Sequence, residues 1–172
     1  MTVKSHVLTS TAIFNSVYFL GFLDYGTNAY LFALLGVLIG SVFPDIDEPN
    51  SFLGSKVKIV SIPTNFFIGH RTLTHNMLVY IVPMGALWFY DMENTYVKLL
   101  IIGFLFGAIL HILEDSMTNS GVKGAMFPLI RNFSILPYSL RFSTGGIFEK
   151  FVFLPLIFIL ILSQYIFFLK LF

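Results

Sequence analysis

Four short blocks of the chain carry residues that can ligate a metal and move protons. They are a lone His6, an Asp-x-Asp formed by Asp45 and Asp47, a His-Arg-x-x-x-His from His70 through Arg71 to His75, and a His-x-x-x-Asp formed by His111 and Asp115. The blocks contain every histidine of the chain and, with Glu48 and Glu114, five of its nine acidic residues. Imidazole and carboxylate together select Zn, Mn or Fe over Ca or a purely oxygen-ligated Mg. Seven candidate ligands, His6, Asp45, Asp47, His70, His75, His111 and Asp115, suit a centre of two divalent ions better than one tetrahedral ion.

Each block also has a plainer reading. Pro44 and Pro49 bracket the Asp-x-Asp, so it is expected in a turn or extended segment; extended, Asp45 and Asp47 would point the same way and flank a metal. An acidic turn after a helix is also an ordinary cap for the next one. His70 and His75 on one continuous helix would diverge by about 140°, so a shared centre needs a loop turning into a helix, with Thr72 or Thr74 as its N-cap. A helix N-terminus disfavours imidazolium and favours an anion such as phosphate, and Arg71 adds a fork suited to phosphate oxygen; the alternative is a polar loop with two incidental histidines. His111, Glu114, Asp115 and Thr118 share one helical face. There, Asp115 either ligates beside His111 or only orients it.

These blocks gain weight from the rest of the chain, which is apolar. Of 172 residues, 56% are hydrophobic, 17% aromatic and 11% charged, with 21 Phe and a mean hydropathy of +0.85. An ordinary soluble domain carries about 25% charged residues. A disordered tail, a coiled coil and a nucleic-acid-binding module are excluded by the same deficit, and the bilayer is the natural solvent. There is no cysteine, hence no disulfide, thiolate ligand or cysteine nucleophile. In such a chain, ionisable residues beside apolar runs mark function.

Five apolar runs are expected to be helices: about Ser5–Leu23, Asn28–Phe43, Thr74–Tyr90, Tyr96–Met117 and Phe148–Leu171. Three or four of them would span, the last most clearly; the first is expected to be a retained helix and not a cleaved signal. Gly36-x-x-x-Gly40 and Gly103-x-x-x-Gly107 have the spacing that lets membrane helices approach closely. The polar segments Pro44–Arg71 and Thr118–Lys150 are expected as loops or short surface helices, and by the positive-inside rule their Lys and Arg residues would place that face in the cytoplasm. The expectation is therefore one all-α domain over residues 1–172, a multi-pass membrane bundle of about five helices with a polar metal site at helix ends.

The ordered set of an early His, Phe-Pro-Asp-Ile-Asp, Gly-His-Arg-Thr-Leu-Thr-His and His-Ile-Leu-Glu-Asp-Ser-Met-Thr resembles the YdjM-like family of membrane-bound proteins over about residues 1–150. The resemblance implies a bacterial inner-membrane, metal-dependent hydrolase with the seven ligands named above at its motif positions. Arg141-Phe-Ser-Thr-Gly-Gly followed by Glu149 resembles that family's closing polar segment more loosely, and Thr72 stands where the family often has Gly. The order His6, Asp45, His70, His111-x-x-x-Asp115 is also similar to that of the zinc-dependent phospholipase C and single-strand nuclease family, although its later histidines are missing here.

The resulting expectation is hydrolysis of a phosphate ester, of a lipid or lipid-linked substrate, by metal-activated water. Asp47, Glu114 and Glu149 are the candidate proton carriers or histidine partners, and Arg71 and Arg141 the candidate stabilisers of charge on phosphorus. The expected partners are the bilayer and its lipids, with no nucleic acid. The chain has no His-Glu-x-x-His, no multi-histidine boxes and no Pro-Ser-Gly-His, which sets aside intramembrane zinc proteases, desaturases and lipid phosphate phosphatases. The alternative class is non-enzymatic: a metal or proton-coupled transporter, or a stress-related membrane protein with a structural metal.

Overall fold

The pairing of two glycine-bearing helices organises the molecule. In the computed structural model, which describes residues 1–19, 26–48, 51, 54–56 and 74–171, α1 is Val3–Val17, α2 Gly26–Gly40, α3 Leu78–Phe89, α4 Thr95–Asp115 and α5 Leu154–Leu171. A Cβ built on Gly36 would overlap the Leu100 carbonyl, and one on Gly40 the Phe104 carbonyl. From the other side, Gly103 and Gly107 meet the carbonyls of Ala33 and Val37. Both small-residue motifs therefore lie in one seam, where α2 and α4 touch backbone to backbone. Gly40→Ala is expected to splay this pair at a cost of about 1–3 kcal/mol. A fall of roughly 5–10 °C in the thermal midpoint in detergent, against no change for the open position Gly85→Ala, would record it.

Phe14 of α1 joins Ala29, Ala33, Val37 and Leu99 in one buried cluster, which seats α1 on the α2–α4 seam. α5 lies against α1, where the Gln164 amide donates to the Ala12 carbonyl (3.0 Å) and Ser16 Oγ (2.6 Å), while most of its apolar surface faces outward. Among the described residues, three stretches are long and apolar enough to cross a membrane: Gly26–Asp47, Thr95–Asp115 and Glu149–Ile166. α1 and α3 are shorter. At the turn between α3 and α4, Trp88, Phe89, Tyr90 and Tyr96 are exposed, as in the aromatic belt of a membrane interface. The opposite end gathers the start of α1, the ends of α2 and α4, and the approach to α3.

Two local structures sharpen the expectations at that polar end. Of the turn or extended segment expected around the Asp-x-Asp, Phe43–Asp47 takes the turn, a short 3-10 one with Pro44 in its first turn. Residues two apart in such a turn lie about 120° apart around its axis, so Asp45 and Asp47 face different ways. The Thr118–Lys150 segment adds to the expected loops and a short helix, Tyr138–Leu140, a β-hairpin outside that expectation, β1 Val122–Met126 antiparallel to β2 Ile130–Phe133. Val122 and Ala125 plug into the core with Tyr80, Leu105, Ala108 and Ile112, which gives the strand pattern an anchor that its sequence does not advertise.

Candidate metal centre

The last turn of α4 supplies the floor of the centre. His111 at i and Asp115 at i+4 fall on one face of that turn, and both are buried. His111 Nδ1 lies 2.7 Å from the Ser41 carbonyl just beyond α2. A carbonyl only accepts, so Nδ1 carries the proton and Nε2 is the bare nitrogen.

The other two described histidines are held in the same manner. His6 Nδ1 donates to Glu114 Oε2 at 2.6 Å, and Ser10 Oγ donates to Glu114 Oε1 at 2.9 Å. His6 also stacks on His111, ring centroids 3.9 Å apart. Burial, first, and then the neighbouring His111 ring push the His6 pKa down to about 3, so the imidazole is neutral at any physiological pH. Thr74 Oγ1 donates to Asp47 Oδ2 at 2.7 Å, so it accepts from His75 Nδ1 at 3.2 Å. The Tyr80 hydroxyl donates to the Thr74 carbonyl (2.7 Å) and pins this turn.

With these three Nδ1 atoms anchored, the Nε2 atoms face two carboxylates. Asp45 Oδ1 lies 3.7 Å from His111 Nε2 and 3.9 Å from His75 Nε2. Asp115 Oδ2 repeats those distances, 3.7 and 3.9 Å. Ligand bonds of about 2.1 Å give tetrahedral edges of about 3.4 Å, so the four atoms stand slightly wide of one ion. His6 Nε2 and His111 Nε2 are buried and make no hydrogen bond among the described residues, which is costly unless a cation completes them. The donor set and these orphaned nitrogens fit a divalent transition metal. Asp45 is the most open member, its side chain 17% exposed, and provides the route in.

Among the described residues, two overlapping groups meet the requirements of a metal site, His6–His111–Asp115 and Asp45–His75–His111. His111 has one nitrogen to give, so the groups cannot each hold an ion through it. Asp115 Oδ1 faces His6 Nε2 at 3.3 Å and pairs with the Met1 amino group.

The expected residues thus separate. His6, Asp45, His75, His111 and Asp115 come together. Asp47 and Glu114 act one step out, through Thr74 and His6, in the positions where acceptors commonly orient metal-bound imidazoles. Glu114→Ala is expected to weaken metal affinity about 10–100-fold, measured by competition with a chelating dye. Glu149 is fully buried but outside the centre. Its Oε1 accepts from Thr2 N (2.8 Å), Thr2 Oγ1 (2.7 Å) and Ser5 Oγ, and its Oε2 from Gly145 N (2.8 Å). Arg141 donates from Nε to the Leu136 carbonyl at 2.9 Å, outside both metal-ligand groups. His70 and Arg71 lie outside the described residues.

Sequence reasoning misses Ser41, whose part is played by its carbonyl and leaves no trace in side-chain chemistry. It also assigns Thr72 or Thr74 as a helix cap, and Thr72 lies outside the described residues. In the structure Asn76 takes the capping contact, its Oδ1 accepting from Leu78 N at 3.0 Å, and Thr74 is released to bridge Asp47 and His75. The spacing of His6 and Ser10 by four, inside a run also holding Ser5 and Thr9, is the available sign of a buried polar stripe on α1.

The profile of the family described as YdjM inner membrane protein matches residues 1–170. The chain belongs to the YdjM family. The relatives named Inner membrane protein YdjM of Escherichia coli (strain K12) and of Shigella flexneri are each 33% identical over 86 residues, 49% of this chain and 44% of those proteins. The matched part of the chain thus spans less than half the length of these two relatives. A Bacillus subtilis (strain 168) relative, Uncharacterized protein YvsG, is 29% identical over 130 residues, 74% of each chain. No solved structure matches. Three candidate spans and the YdjM relatives together establish a multi-pass inner-membrane protein, and the candidate metal centre of this YdjM-family chain sits where its helices end.

Proposed function

We propose that the chain is a membrane-bound, metal-dependent hydrolase acting on a phosphate ester of a lipid or lipid-linked substrate. The observation that carries this reading is the convergence of three imidazoles, each with Nδ1 anchored, on two carboxylates at the polar end of a membrane bundle. Asp45, His75, His111 and Asp115 would hold one divalent ion, Zn in the first place and Mn or Fe next. When bound, such an ion polarises a phosphoryl oxygen and lowers the pKa of a water towards about 7.

The chain's own groups supply the rest. The Thr74–Asp47 hydrogen bond keeps His75 in the tautomer that presents Nε2, and Ser41 does the same for His111. Asp45 is the carboxylate that solvent and substrate meet, so it is the group placed to pass a proton outward. The other three ligands, His75, His111 and Asp115, are buried. Among the described residues the proposed centre uses one four-atom position with His6 at its flank; His70, a further ligand of the expected two-ion centre, lies outside them.

The test is turnover of defined lipid phosphates, presented in mixed micelles to the zinc-loaded protein, with release of phosphate or a phosphorylated headgroup as the signal. Wild type is expected to turn over at least one class, and Asp45→Ala to lose about a hundredfold or more in rate. Metal uptake into proteoliposomes with no turnover of any lipid phosphate would replace this reading with transport.

A further inference from the structure

The segment joining α4 to α5 contains a second polar feature that the metal centre does not use. A cavity of about 430 Å³ opens between the Ser120–Lys123 turn, β2 and Arg141. Its polar lining is Ser120, Lys123, Asn132, Ser134 and Arg141, with no carboxylate. Between Thr118 and Lys150 the chain has four basic residues, Lys123, Arg131, Arg141 and Lys150, against the single acid Glu149. That acid is turned inward and occupied by Thr2, Ser5 and Gly145. Among the described residues neither Lys123 nor Arg141 has an ion-pair partner, so two cations share one cavity uncompensated.

Arg141 is also held in place for a ligand. Its Nε bond to the Leu136 carbonyl and its position over the Tyr138 ring, 5.8 Å from the centroid, fix the guanidinium plane and leave the terminal nitrogens for an oxyanion. Apolar side chains adjoin the lining: Ile135 follows Ser134, Leu140 precedes Arg141, Tyr138 lies under its guanidinium, and all three are exposed. On a soluble protein such a patch would be a liability, but on the polar end of a membrane bundle it belongs at the depth of the headgroups.

We propose that this cavity binds the phosphate of an anionic lipid headgroup. Lys123 and Arg141 neutralise it, Ser120 and Asn132 offer hydrogen bonds, and the apolar rim receives the glycerol and first chain carbons. The cavity wall is tied to the metal centre's helix: Ser134 Oγ donates to the Ser116 carbonyl at 2.7 Å, one residue past Asp115. The site holds lipid whether or not the centre is hydrolytic, so it goes beyond the function proposed above and does not rest on it. Phosphate is the recognised chemistry; the apolar rim assigns it to lipid over free phosphate.

The test uses the full chain in phosphatidylcholine micelles containing a minor fraction of phosphatidylglycerol, with retained lipid counted by native mass spectrometry. Wild type is expected to retain phosphatidylglycerol roughly tenfold above its share of the mixture. Lys123→Gln with Arg141→Gln is expected to lose that preference, while Lys150→Gln, exposed on the same segment, keeps it. Lys123→Gln alone leaves the Arg141–Leu136 bond intact; it should lose most of the preference at an unchanged thermal midpoint, and Lys123→Arg should restore it. Equal retention by wild type and the double variant would overturn the proposal. Release of the lipid by millimolar inorganic phosphate would overturn the assignment to lipid, and continued retention in that buffer would support it.

Discussion

Asp115→Ala is expected to empty the metal centre: metal per chain, read by elemental analysis after dialysis, falls from near one to below about a tenth. The size of the effect follows from where the two oxygens sit. Oδ2 lies 3.7 Å from His111 Nε2 and 3.9 Å from His75 Nε2, and Oδ1 pairs with the Met1 amino group beside His6. One substitution therefore removes a ligand and leaves a buried amino group unpaired. Loss of stability alone would not separate these two effects, because an uncompensated buried charge costs about 3–5 kcal/mol by itself.

Response to a chelator separates them. A ligand present at about a thousand times its Kd stabilises by about 4 kcal/mol. Chelation should lower the wild-type midpoint by that linkage and leave Asp115→Ala where it was. His111→Ala, which spares the amino-group pair, should lose metal to the same extent. Retention of stoichiometric metal by both variants would sink the centre as described.

Glu149→Ala is expected to be the most destabilising substitution away from the metal. Four donors converge on that carboxylate: two from Thr2, one from Ser5 and one from Gly145. Gly145 has φ +68°, in the left-handed region, which lets its N–H turn towards the carboxylate. The charge thus fastens the entry to α5 onto the first turn of α1, one residue before His6. Removal strands four donors, of which the Ser5 hydroxyl is fully shielded from water, and costs about 3–5 kcal/mol. The midpoint should fall by about 10 °C or more. Glu149→Gln keeps the size but replaces one acceptor oxygen by a donor, so it should fall part of the way. A catalytic acid would behave oppositely: Glu149→Gln would abolish turnover at an unchanged midpoint.

The small-residue seam of α2 and α4 and the apolar runs are legible in the sequence because they depend on spacing and composition, which are local. So is the set of ligand types, since a chain with 11% charged residues has few polar groups to distribute. Less legible are the helix ends. The apolar run suggests helix from Thr74, yet α3 begins at Leu78, because Thr74 gains more from Asp47 and His75 than from capping. Asp45 and Asp47 look like a matched pair in the sequence; the 3-10 turn gives one to the centre and the other to Thr74.

By itself the sequence determined a helical membrane protein with imidazoles and carboxylates at the ends of its helices, because hydropathy and residue type are properties of the chain alone, and its ordered motifs carried the resemblance to the YdjM family. The tertiary structure decided which of those groups share a centre. That choice rests on contacts between residues far apart in sequence: Ser41 with His111, Glu114 with His6, and Asp115 between His6 and His75. It also removed Glu149 and Arg141 from the centre, one into a clasp on α1 and one into the basic cavity of the hairpin segment. Direction and distance settle a metal site, and both come from packing.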